Sequence, residues 1–144
     1  MIEFTLPVKP VTKKNNGQII TVGGYPQLIP SKQYRQFEKE VTPYLRRVKI
    51  QAGEIHYPVN IQCLFYMDAR RRVDLANLLN AIDDAMVHAE LLIDDNRDII
   101  AAHDGSRVFH DKENPRIEVK ITELKDYVQW KDTRNIQCKF KELE

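Results

Sequence analysis

Residues 59–98 read VNIQCLFYMDARRRVDLANLLNAIDDAMVHAELLIDDNRD. The first part alternates. Ile61, Cys63, Phe65 and Met67 share one face, and Gln62, Leu64 and Tyr66 share the other. This is the period-2 pattern of a strand over Val59 to Asp68, buried on one side and part-apolar on the second. After the basic run Arg70-Arg71-Arg72 the period changes. From about Leu75 to Ala89, at roughly 100° per residue, Leu75, Leu78, Leu79, Ile82 and Met86 fall on one arc, with Asn77, Asn80, Asp84 and His88 opposite. Asp74 stands where a helix favours a capping side chain. A half-buried strand, a basic connection and an amphipathic helix therefore follow one another.

Upstream, residues 2–6 are apolar-rich and stop at Pro7, which predicts a first strand. Lys9 to Pro30 is rich in Pro, Gly, Asn and Lys and reads as a long loop. Within it, Gln18–Val22 and Gln27–Ile29 can form a small hairpin turning at Gly23-Gly24. Ser31 can cap a helix along which Tyr34, Phe37, Val41, Leu45 and Val48 recur. Pro43 predicts a kink or break there, because it lacks an N–H and disfavours a helical Thr42. Downstream, 97–104 and 116–123 read as strands, with Gly105-Ser106 and Lys112–Pro115 as turns. The last twenty residues fit a hairpin or a helix.

The chain has 144 residues and a net charge of +1, a length that favours one domain. The total hides an asymmetry. Residues 1–72 hold 12 Lys/Arg against 5 Asp/Glu, a balance of +7, and residues 73–144 hold 10 against 16, a balance of −6. Such a split can mark a polyanion site. No apolar run approaches the ~18–20 residues of a membrane span. Glu3, Pro7 and Lys9 do not suit a signal peptide. No membrane partner and a cytoplasmic location are expected. Cys63 and Cys138 form no CxxC pair and read as packed thiols. The four histidines lack HxxxH spacing, which argues against a zinc hydrolase.

The chemistry resides in Arg70–Asp98. An acid opens the amphipathic helix, and the pair Asp94-Asp95 lies just past its end. Carboxylates converging on Mg²⁺ can activate water and steady an in-line phosphoryl transfer, with adjacent arginines holding phosphates. Each piece also has a plain reading. Asp74 alone is a cap, Asp94-Asp95-Asn96 a turn, Arg70–Arg72 a solvated stretch, and Asp83 and Asp84 the wet face of a helix. Lys9, Lys13, Lys14, Asn15 and Asn16 form a basic loop suited to sequence-independent phosphate contacts. Tyr25 at its Gly/Pro turn could stack on an unpaired base, though loop tyrosines more often pack.

Together these residues resemble the core signature of the RusA family of Holliday junction resolvases. The matching positions are Arg70-Arg71-Arg72, Asp74, Asn77, Asp84-Ala85 and Asp94-Asp95. Phe4-Thr5-Leu6-Pro7 and the Lys13-Lys14-Asn15-Asn16 loop are similar to the family's first strand and Pro/Asn-rich loop, and Ser31 to Tyr44 to its first helix. The likeness spans roughly residues 2–123, which implies an α+β fold with residues 1–123 as the domain and 124–144 as an extension. It implies a small mixed sheet carrying two main helices, with a charged cleft at the centre of a homodimer. It implies a Mg²⁺-dependent endonuclease, with Mn²⁺ as a substitute, cutting paired strands of four-way DNA near the crossover. Asp74 and Asp95 become metal ligands with Asp94 beside them, and Asn77 joins the nucleic-acid contacts.

Two positions depart from that pattern. The second acid of Asp-x-Asp is Ala76, and the place of a common catalytic lysine is taken by Asn80. Alanine cannot ligate a metal. Asn80 can orient a phosphate oxygen or water but supplies no positive charge. Ala76 is either an engineered inactivating change, favoured by the otherwise intact motif, or the mark of a natural member that binds junctions as a non-catalytic architectural protein. Asn80 reads as natural variation.

Overall fold

The computed structural model describes residues 1–13 and 17–125. Lys14, Asn15 and Asn16 lie outside them, as do Cys138 and nearly all of the C-terminal segment expected to form a hairpin or a helix.

The alternating stretch forms the long strand at the centre of the sheet. Among the described residues, seven strands and two helices run in the order β1 (Ile2–Leu6), β2 (Gln18–Val22), β3 (Tyr25–Ile29), α1 (Lys32–Ala52), β4 (Val59–Met67), α2 (Leu75–His88), β5 (Ile100–Ala102), β6 (Arg107–His110) and β7 (Arg116–Glu123). β7 is antiparallel to β1 on one side and to β4 on the other. The far edge of β4 pairs in parallel with β5 at its start and β6 at its end. The sheet is therefore mixed and the class is α+β, as expected.

Burial along β4 alternates without a fault, with Ile61, Cys63, Phe65 and Met67 inward. These residues join Leu6, Ile117, Val119 and Ile121 from the neighbouring strands. The apolar stripes of α1 (Tyr34, Phe37, Val41, Leu45) and α2 (Leu78, Ala81, Ile82, Ala85, Met86) close one core over that face. Each fully buried Leu or Ile contributes about 1.5–3 kcal/mol, so this shared face anchors α2 against the sheet. Leu75 and Leu79, expected on the same arc, are only partly buried at its margin. Cys63 is a buried free thiol, and burial pushes it well above the usual thiol range.

Three expectations change. α1 is not broken at Pro43 and continues to Ala52. The Thr42 hydroxyl donates to the Glu38 carbonyl at 2.6 Å, and Val41 and Leu45 on either side are fully buried. That packing outweighs one missing backbone bond. The strand read over 97–104 is only Ile100–Ala102, and a further strand, β6, occupies 107–110. The hairpin turns at Gly23-Gly24 as expected, both glycines having positive φ. Its second strand starts two residues earlier, at Tyr25.

Candidate active site

Asp74 occupies the N-cap position of α2, yet its side chain makes no capping bond to the helix backbone. Its Oδ2 accepts instead from Asn77 Nδ2 at 3.1 Å. With Arg71, Arg72, Thr12 and Gln33 it lines a cavity of about 400 Å³ at the start of α1. The arginines are exposed. Arg70 does not line this cavity, and its Nε donates to His110 Nδ1 at 3.3 Å. Ala76 is exposed.

Asn77 also lines a second cavity, of about 530 Å³, with Lys13, Asn80, Asp83, Asp84 and Asp95. The two spaces thus meet at one asparagine. Lys13 crosses the acidic cleft. Its backbone N–H reaches Asn77 O at 3.4 Å, its Nζ pairs with Asp84 Oδ2 at 2.5 Å, and the ammonium lies 5.5 Å from the Tyr34 ring centre, within cation–π range.

Asp94 and Asp95 are adjacent but differ in role. Asp94 accepts from the Asp95 backbone N–H at 2.7 Å and from Asn96 Nδ2 at 3.1 Å. These bonds, the Asp95 N–H first, hold its carboxyl below the usual range. Asp94 is thus occupied in fixing the turn. Asp95 faces the cleft, and partial burial followed by Asp94 and Asp84 raises its carboxyl above the usual range.

Sequence alone places Asp83 on the wet face, and the structure overturns that. Asp83 is only 9% exposed. Its Oδ2 lies 2.8 Å from His103 Nε2, while His103 Nδ1 lies 2.8 Å from the Ile61 carbonyl. Burial pushes Asp83 up, Asp84 and Asp95 add to that, and His103 opposes it. Burial of His103 works against its charged form, but the Asp83 hydrogen bond and charge outweigh it and raise the imidazole. Neither residue stands out from sequence as functional. The available signal is spacing: Asp83 is seven residues past Ala76, on the same helical face.

The structure therefore brings Lys13, Asn77, Asn80 and Asp95 into one cleft with Asp83 and Asp84. Asp74 sits in the adjoining cavity. Among the described residues, no three His, Cys, Asp or Glu side chains are grouped to hold a metal ion. The donor chemistry still suits a hard divalent cation. Mg²⁺ keeps several waters and uses one or two carboxylates, and such a cation relieves the repulsion that adds to burial in raising Asp83 (from Asp84 and Asp95) and Asp95 (from Asp84 and Asp94).

The family model for endodeoxyribonuclease RusA matches residues 7–122. The chain belongs to the RusA family. That membership implies Holliday junction resolvase nuclease activity and, in general, dependence on a divalent metal. The span matched to RusA takes in both cavities and every strand from β2 to β6. No curated protein matches the chain significantly. No helix among the described residues is long and apolar enough to cross a membrane.

Proposed function

We propose that the protein is a Mg²⁺-dependent endonuclease, with Mn²⁺ able to substitute, that resolves four-way DNA junctions as a homodimer in the cytoplasm. Residues 1–123 form its nuclease domain and 124–144 an extension. The observation that carries this reading is the shared Asn77, which joins an arginine-lined space to an acidic one. A phosphodiester needs that adjacency, with cations for its backbone beside carboxylates for a metal.

Asp74 and Asp95 would hold the cation, with Asp94 fixing the turn that presents Asp95. Bound there, the cation would polarise the phosphate and acidify a water nucleophile. Asn80 orients a phosphate oxygen or water by its amide. Arg70, Arg71, Arg72, Lys13, Lys14, Asn15, Asn16 and Asn77 hold the DNA backbone without reading sequence. Ala76 leaves the helix one carboxylate short, so the chain as it stands cuts weakly.

The test is one synthetic four-way junction, assayed for binding and cleavage by the chain and by Ala76→Asp. The expected result is preferential junction binding by both, with Mg²⁺-dependent paired nicks rising by at least about 10–100-fold in Ala76→Asp, since a direct ligand matters no less than the outer-shell partners whose loss costs that much. A variant that binds junctions but stays inert with Mg²⁺ and Mn²⁺ overturns the nuclease reading in favour of the architectural one.

A further inference from the structure

The outward ridge of α1 has no part in the chemistry proposed above, yet it carries much of the positive charge. α1 holds Lys32, Arg35, Lys39, Arg46, Arg47 and Lys49 against Glu38 and Glu40, a balance of +4. Together with Arg70–Arg72 it makes up the whole +7 of residues 1–72. The charges are not scattered. Lys32, Arg35, Lys39 and Arg46 fall within an arc of about 60° at roughly 100° per residue. That arc lies opposite the buried stripe of Tyr34, Phe37, Val41 and Leu45, and all four cations are exposed. Among the described residues, Lys32, Lys39 and Arg46 pair with no carboxylate. Arg35 donates only to neutral oxygens, of Pro30 and Gln18. The acids of the helix are turned to other partners: Glu38 faces His88 at 3.4 Å, and Glu40 accepts from Gln36 at 2.9 Å.

An ordinary solvated helix face mixes both signs, and like charges three or four residues apart destabilise the helix that carries them. An anion lying along the ridge removes that cost. The ridge also leads away from the site. Ser31 and Gln33, at the start of α1, line the arginine cavity. From Lys32 to Arg46 the helix advances about 21 Å, more than half of a ~34 Å turn of duplex. A groove of about 380 Å³ runs beside it, lined by Arg35, Lys39, Arg46 and His88 among others. The apolar face of α1 is taken up by the core, which leaves a lipid surface nothing to insert. We propose that this ridge is a second phosphate track, holding the backbone of one duplex arm as it leaves the cavities. This inference rests on the junction reading above. Its contacts are to phosphates, so the track is indifferent to base sequence.

The experiment is anisotropy titration of a labelled four-way junction, with arms of about 20 bp or two turns, across a salt series. The full chain is compared with the double variant Lys39→Gln, Arg46→Gln. A control, Lys112→Gln, Lys120→Gln, removes the same charge elsewhere. The ridge variant is expected to lower the slope of log K against log salt by about 1.8 and to weaken binding about tenfold or more at ~0.1 M salt, with the control unchanged. Equal losses in the two variants overturn the track in favour of net charge. An unchanged slope in the ridge variant, with junction binding intact, overturns the track alone. Altered sedimentation of that variant without DNA, at unchanged slope, overturns it in favour of a subunit contact. Absence of junction binding by the wild type overturns both this inference and the junction reading. Lysine acetylation of the wild-type chain, read by mass spectrometry with and without the junction, answers the same question without a variant. Protection of Lys32 and Lys39 but not of Lys112 and Lys120 supports the track, and unprotected Lys32 and Lys39 overturn it.

Discussion

Asp74 and Asp83 lie on one helix and differ in almost everything else. Asp74 is exposed at the first turn, makes no capping bond, and is touched by one asparagine amide. Asp83 is buried in the third turn and fixed by a histidine that is itself fixed to the central strand. The difference comes from what each turn faces. The first faces an open, arginine-lined space, and the third faces the segment leaving β5. An acid at the open end is free to meet a ligand at little cost to the fold. An acid in the packed turn is pre-positioned and contributes to stability.

The largest effect separating the two is on cleavage. Asp74→Asn should abolish residual Mg²⁺-dependent cutting while junction affinity stays level or rises, since a negative charge near phosphates is removed. Weaker binding in a gel shift would make Asp74 structural and erase the contrast. Next is DNA affinity at the open end. Replacing Arg70, Arg71 and Arg72 with Gln should weaken junction binding and flatten its dependence on log salt by about 0.9 for each phosphate no longer neutralised. Asp83→Asn should leave that slope alone.

Stability reverses the order of the two acids. Asp83→Ala strands a half-buried imidazole and should cost about 1–2 kcal/mol. Asp74→Ala, with no capping bond to lose, should cost under about 0.5 kcal/mol. Urea denaturation of both variants measures the difference, and equal costs would break the comparison.

The smallest effect is on pH dependence. Asp83 and His103 both bind protons more tightly when folded than when unfolded. Their contribution is complete in acid, below the ordinary carboxylate range near pH 4, and is lost as pH rises through their raised values, beyond the ordinary imidazole value near 6.5. Cation-free protein should therefore lose stability from about pH 4 upward past neutrality. The double variant Asp83→Asn, His103→Gln should show a flatter curve, and an unchanged curve would place the titration elsewhere.

The parts of this fold that are legible from sequence are those with one dominant periodicity. The alternation of Ile61, Cys63, Phe65 and Met67 and the turn at Gly23-Gly24 are of this kind. β6 is not, because Arg107–His110 is four exposed residues at an edge, with neither alternation nor length. α1 continues beyond Pro43 against expectation because a local rule meets packing that sequence does not display. The site divides in the same way. Lys13, Asn77, Asn80 and Asp95 come from motif positions and do meet in one cleft. Asp83 escapes notice because its neighbour Ile82 and the residue Met86 define the apolar stripe whose edge it occupies. Its partner lies twenty residues on, across a turn and a strand.

The far edge of β4 is paired by β5 only at Val59 and Asn60 and by β6 only from Leu64 onward. Between them, side chains replace the backbone ladder: His103 meets the Ile61 carbonyl, and the Cys63 N–H donates to Ser106 Oγ at 3.0 Å. One amide in the middle of the central strand is thus guarded by a single hydroxyl three residues from His103. Its deuterium uptake reports opening of that loop without requiring the sheet to unfold. The Cys63 amide is accordingly a built-in probe of the turn between β5 and β6, readable by exchange in the resting protein.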